Sequence, residues 1–129
     1  MCFAIRCNKT QEIVGCSRYY SLALSYRRLA IGHTFYHADV RGTKVNPECK
    51  KLLLQMAFET LGIERVELMA DLNNQLSVAA IKKLGATQEG ILRQYMTLEN
   101  GYKRDTAVFS ILKSEWPSVK KNLENRLIQ

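Results

Sequence analysis

The sequence lacks a CxxC pair, a long apolar run, a run of like charge, and any repeat, linker or low-complexity segment. Each absence removes a class of protein. The four cysteines (Cys2, Cys7, Cys16, Cys49) show no metal-ligand spacing, so free thiols of a reducing compartment are expected. A disulfide among Cys2, Cys7 and Cys16 is the alternative, and the sequence offers no support for it. The two histidines, His33 and His37, are four apart, which suits a metal only on a helix. The segment around them reads as a strand, and no metal site is expected. No stretch approaches the ~20 apolar residues of a membrane helix, and no apolar run follows a basic start. The expectation is a cytoplasmic protein without a membrane partner. Its 129 residues read as a single domain, 1–129, large enough to bury most of its apolar surface in one core.

What is present is ordinary in amount and uneven in charge. Hydrophobic residues make up 47% and charged residues 24%, as in a typical globular domain. The net charge of +7 points to anionic partners: nucleic acid, a membrane surface or a phosphorylated cofactor. Because the lysines and arginines are scattered, no nucleic-acid partner is expected.

The most informative stretch runs from Asp39 to Gly62, a basic glycine-containing loop leading directly into a strong helix. Asn46 stands where an N-cap belongs and Pro47 at the first helical position, where its missing N–H costs nothing. Such a helix start presents unpaired N–H groups and the positive end of the helix dipole. Arg41, Lys44, Lys50 and Lys51 crowd it with cations, which are misplaced there by a few tenths of a kcal/mol unless an anion joins them. Glu48 relieves part of the conflict. The stretch alone admits two readings, an anion site or a solvated loop with scattered lysines.

Around it the chain reads as follows. Strands over Cys2–Cys7 and Ile13–Leu22 flank the polar turn Asn8–Glu12 and form a hairpin. A turn at Ser25-Tyr26 leads to a strand over Arg28–Tyr36, in which Leu29, Ile31, His33 and Phe35 share one face. Gly32 inside it suggests a bulge or a close backbone approach. The helix Pro47–Leu61 turns Cys49, Leu52, Leu53, Met56, Ala57 and Leu61 inward, with Leu54 and Phe58 widening that face. Gly62 caps it. A strand over Arg65–Ala70 follows, making a strand–helix–strand unit with a parallel pair. Next come a loop-to-helix junction from Asp71 to Ser77, a helix to about Leu84 capped by Gly85, and a hairpin of Glu89–Leu98 with Tyr102–Leu112. Asn100-Gly101 is a two-residue hairpin signal. Ser114 is placed to cap a last helix striped by Trp116, Val119, Leu123 and Leu127. The fold class is α+β (mixed α/β), its sheet antiparallel at both ends with a parallel step in the middle. The segments are strands and loop in 1–46, helix 47–61, strand, helix and hairpin in 65–113, and helix 114–129.

Along this order stand Ile31-Gly32, Arg41-Gly42, Leu52–Phe58, Asn74-x-x-Ser77, Lys83-Leu84-Gly85 and Glu89-Gly90-x-Leu92-Arg93. On these pieces, from about Phe3 to Trp116, the chain resembles the GNAT superfamily of acetyl-CoA-dependent N-acetyltransferases. Within it the nearest likeness is to the ribosomal-protein N-acetyltransferase-like (Rim-type) branch. The resemblance implies a GNAT-like acyl-CoA N-acyltransferase fold, with a mixed, mostly antiparallel sheet and flanking helices. It implies acetyl-CoA as co-substrate. The loop Arg41, Gly42, Thr43, Lys44, Val45, Asn46 would wrap the pyrophosphate with backbone N–H groups. Phe35 and Tyr36 would pair their backbone with the pantetheine arm, and Asn74 and Ser77 would lie along its other side.

The chain departs from the family pattern in three places. Lys44 and Asn46 stand where the loop usually has glycine or alanine. Ile81 holds the position of a tyrosine general acid, and isoleucine cannot protonate a leaving thiolate. The family's initial strand and two helices, which build much of the acceptor pocket, have no counterpart in this sequence. Acetyl transfer to a primary amine, such as a protein N-terminus, needs a base, and the candidates are His33 and then Glu67. A core histidine is the competing reading of His33, and capping or packing that of Ser77. Two functions follow. One is an acetyl-CoA-dependent N-acetyltransferase; the other is a truncated, non-catalytic CoA-binding or oligomer-forming module. The uncovered sheet edge and apolar face predict a homodimer in either case.

Overall fold

The computed structural model describes residues 1–128. It contains a six-stranded sheet in the order β1-β2-β3-β4-β6-β5. The strands are β1 (Cys2–Arg6), β2 (Ile13–Ala23), β3 (Arg28–Tyr36), β4 (Arg65–Asp71), β5 (Thr87–Thr97) and β6 (Lys103–Leu112). The helices are α1 (Val45–Gln55), α2 (Gln75–Lys83) and α3 (Trp116–Leu127). Every neighbouring pair of strands is antiparallel except β3 with β4, the parallel step expected of a strand–helix–strand crossover. On β4, Val66, Leu68 and Ala70 alternate inward and meet Leu53, Leu54, Ala57 and Phe58 of the α1 arm in the core.

Four expectations change. First, α1 begins at Val45 with Lys44 as its N-cap, so Asn46 lies inside the first turn. Asn46 gives its side-chain oxygen to the Tyr36 hydroxyl at 2.6 Å, a tertiary bond that competes with capping. The Thr43 hydroxyl accepts from the Val45 N–H at 3.3 Å in its place. Second, α1 widens into a π-helical stretch over Met56–Thr60. Leu54 and Phe58 are fully buried, whereas Leu52 and Leu61, both expected in the core, are 68% and 43% exposed, Leu61 lying just beyond the widening. Third, the last hairpin turns over Glu99–Gly101. Leu98 accepts from Gly101 and donates to Tyr102, and Gly101 holds φ +85°, which glycine adopts without strain. Fourth, Ser114 does not cap α3; the Glu115 carboxylate accepts from the Leu112 N–H at 2.8 Å.

The sheet face away from α1 carries an ion-pair cluster. Arg65 donates from Nη1 to Glu89 at 2.5 Å, from Nη2 to the same carboxylate at 2.8 Å, and from Nη2 to Glu67 at 2.9 Å. The Ser110 hydroxyl also donates to Glu89. Arg65 first, and then Ser110, hold the Glu89 carboxyl down at about 2, from an ordinary 4.5. A depressed carboxyl stabilises the fold fully above its unfolded value and loses that contribution as pH falls through its folded value. Because the pair is partly solvated, Glu89→Gln is expected to cost only about 1 kcal/mol at pH 7. That cost should shrink between pH 4.5 and pH 2. Urea unfolding of both proteins across this range measures it, and a pH-independent difference would contradict the assignment.

Candidate active site in the opening between two parallel strands

Strands β3 and β4 pair only over Arg28–Ile31 with Arg65–Leu68. Beyond that they part. The end of β3 stays with β2 through Gly15–Tyr36 and Cys16–Phe35, and the end of β4 stays with β6 through Met69–Val108 to Asp71–Thr106. The facing backbone edges of Gly32–Tyr36 and Met69–Asp71 are therefore left without each other as partners, and a groove of about 570 Å³ lies between them.

Strand irregularities accompany the parting. Ser21, His33 and Gln94 all have positive φ (48°, 48° and 46°), and each sits at or opposite a break in register. Bulges bend and overtwist a strand, here turning β3 away from β4. The bulge in β3 falls at His33 and not at Gly32. The close approach at Gly32 comes from a side chain and not from a backbone, because a Cβ there would stand 2.8 Å from the Tyr20 ring.

The bulge also reverses the expected faces. His33 does not join Leu29 and Ile31 in the core; it is exposed, lines the groove, and meets Tyr20 edge-on at 4.9 Å. Thr34 turns inward in its stead, sharing a 2.8 Å hydrogen bond with the Ser17 hydroxyl. Glu67 lies outside the groove lining, with its carboxylate engaged by Arg65.

Of the residues the family pattern assigns to the cofactor, Tyr36, Arg41, Gly42, Asn46, Asn74 and Ser77 line the groove. Phe35, Thr43, Lys44 and Val45 do not. Phe35 is exposed under the Arg41 guanidinium, 5.4 Å from its ring centre. Thr43 serves the start of α1, and Lys44 donates to the Leu127 carbonyl at 2.9 Å, where the C-terminal end of α3 favours a cation. Asn74 is the N-cap of α2, its side chain accepting from the Ser77 N–H at 3.1 Å. That bond fixes both residues at the rim. Burial pushes the Tyr36 phenol far above its usual range and raises the Cys49 thiol beside it.

Two groups in the lining were not anticipated. Lys50, read as one of several cations near the helix start, is buried at the groove wall. Its signal was present: Asn46, Lys50, Leu54 and Phe58 recur every fourth residue and share the stripe facing the sheet. Tyr95 and Arg104, from β5 and β6, also face the groove, and the Arg104 Nε donates to Thr106 at 3.1 Å. Nothing local marks them, since the hairpin's register brings them there.

Over residues 1–87 the chain matches the acetyltransferase (GNAT) domain. It belongs to the GNAT acetyltransferase family. The GNAT chain is 33% identical over 104 residues to the uncharacterized N-acetyltransferase YoaA of Bacillus subtilis, covering 81% of itself and 58% of YoaA. It is 34% identical over 76 residues to the proposed ribosomal N-acetyltransferase YdaF of the same organism, covering 59% of itself and 40% of YdaF. The structure of a GCN5-related N-acetyltransferase from Brucella melitensis superposes with a TM-score of 0.92 at 29% identity, over 97% of this chain and 56% of that one. The mixed six-stranded sheet with flanking helices is thus the GNAT fold. The chain spans between two-fifths and three-fifths of the length of these relatives.

Proposed function

We propose that this protein transfers an acetyl group from acetyl-CoA to a primary amine, such as a protein N-terminus. The observation that carries the reading is the opening of about 570 Å³ between β3 and β4, whose strand edges lack each other as backbone partners. An extended amide chain such as pantetheine adds to such an edge as a strand would. At one end stand Arg41, Gly42 and the start of α1, a cationic loop suited to a pyrophosphate. Asn74 and Ser77 of α2 border the other side. These residues fit a thioester of CoA and would hold it in line with an incoming amine.

In the transfer the amine nitrogen forms a bond to the acetyl carbon and the carbon–sulfur bond breaks. The amine gives up a proton to a base and the departing sulfur takes one up. His33 is the better candidate base, because it faces the groove while Glu67 is engaged by Arg65. Ile81 lines the groove and has no proton to give, so the Ser77 hydroxyl, also in the lining, is the candidate donor to the sulfur. His33→Ala is expected to lower kcat about 100-fold while leaving acetyl-CoA affinity within about twofold. Calorimetric titration with acetyl-CoA, followed by thiol release against a panel of primary amines and N-terminal peptides, tests the function. Binding without any turnover would reject the enzyme.

A second reading is a CoA-binding or self-associating module without catalysis. It is favoured by β5, a sheet-edge strand exposed throughout its length, with Ile91, Leu92, Tyr95 and Met96 among its residues. Leu76 on α2 adds to it at 86% exposure. A homodimer would cover such a surface. Light scattering measures this directly, and a monodisperse monomer would remove it. The free cysteines and the family suit a cytoplasmic setting; among the described residues no helix is long and apolar enough to cross a membrane.

A further inference from the structure

Lys50 is the only charged residue in the buried class among the described residues, at 7% exposure. Its ammonium donates to Thr34 Oγ1 at 3.1 Å, and Thr34 is in turn tied to Ser17. Among the described residues no carboxylate lies within 4.0 Å of it. A single neutral hydroxyl is poor compensation for a charge removed from water. The local sequence would have let the chain avoid the problem, since Lys51 on the next position is only half-buried. The side chain instead runs inward from the second turn of α1 to the groove wall, beside the Tyr36–Asn46 hydrogen bond. Burial pushes its pKa down, opposed in part by the Cys49 thiol. An anion entering the groove would meet a desolvated cation already held in position, where charge-assisted bonds are strongest.

We propose that Lys50 is a specificity determinant of the groove, recognising a phosphate of the thioester carrier and so favouring CoA over carriers without phosphate. The proposal rests on the cofactor reading of the groove, and it concerns a side chain on the sheet-facing stripe of α1, apart from the backbone N–H groups of the Arg41–Asn46 loop. Thr34, held by Ser17, is the positioning residue that keeps the ammonium at the wall.

The test compares CoA with pantetheine, which shares the thiol arm and lacks every phosphate, by calorimetric titration of wild type, Lys50→Met and Lys50→Arg. Wild type is expected to bind CoA, and Lys50→Met to lose roughly 10- to 100-fold of that affinity. Its affinity for pantetheine should change by less than about twofold. Lys50→Arg, which keeps the charge, should retain most of the CoA preference. Equal losses for both ligands in Lys50→Met would assign Lys50 a structural role and overturn the proposal, as would no loss at all. Should Lys50→Met fail to fold, Lys50→Gln keeps a donor for Thr34 without the charge and is read in the same way. A wild type that binds neither ligand would instead reject the cofactor reading itself.

Discussion

Phe58→Ala is expected to destabilise the protein by about 3–5 kcal/mol, the range for a large aromatic side chain removed from a closed core. Phe58 is 1% exposed and lies in the π-helical stretch that ends the α1 arm. Its ring stacks on Trp116 at 5.7 Å between centres, with the planes 30° apart. Trp116 is held in turn, its Nε1 donating to Glu59 at 2.7 Å, with Lys120 on the same carboxylate at 2.9 Å. Phe58 thus joins the end of α1 to the start of α3, and alanine would open a cavity that two anchored elements cannot close. Part of the loss comes from the aromatic pair itself, worth about 0.5–1.5 kcal/mol beyond area burial. Urea unfolding followed by circular dichroism measures the change. A loss under about 1.5 kcal/mol with an unchanged m-value would mean that the region collapses around the deletion, and the rigid packing described would be wrong.

The second large effect concerns ligand binding. Ala80 lies on the exposed side of α2 and lines the groove, whereas its neighbour Ala79, also exposed, does not. Ala80→Trp should fill the space where the thioester arm would run and lower acetyl-CoA affinity at least about 100-fold, some 2.7 kcal/mol. Ala79→Trp should leave affinity within about twofold. Both carry the same small cost in helix propensity, a few tenths of a kcal/mol, so both should keep a melting temperature near that of wild type. Calorimetry on the pair separates occlusion from general damage. If Ala80→Trp bound acetyl-CoA normally, the opening between β3 and β4 would not be the cofactor site.

Much of the framework was legible because it is written in short-range patterns. The run Arg65–Ala70 read as a strand and became β4, and the junction Asp71–Ser77 read as a helix start, which the Asn74–Ser77 bond realises. The parallel step followed from a strand, a helix and a strand in that order. The errors cluster where one residue's conformation depends on a distant partner. Asn46 carries the right side chain for a cap, but Tyr36, ten residues back, takes its oxygen. Leu52 fits a regular helical stripe, but the packing of α1 on the sheet buries the stripe of Lys50, Leu54 and Phe58 instead. Positive φ at Ser21 and Gln94 has no signature in those residue types, and in β3 Gly32 marked the neighbourhood of a bulge but not its position at His33.

His33 and Lys50 show the division of labour at the site. By itself the sequence determined the elements and their order, the basic loop before α1, the loop-to-helix junction before α2, and the resemblance that the family match bears out. These depend on periods of two and 3.6 residues and on caps within a single turn, which each segment satisfies alone. Tertiary structure decided which of those residues face the groove. The bulge in the pairing with β2 turns His33 out and Thr34 in, and packing of α1 on the sheet carries Lys50 from a nominal surface position to the wall. A one-residue slip of register exchanges the faces of a strand, and the slip shows only once β3 is paired with β2.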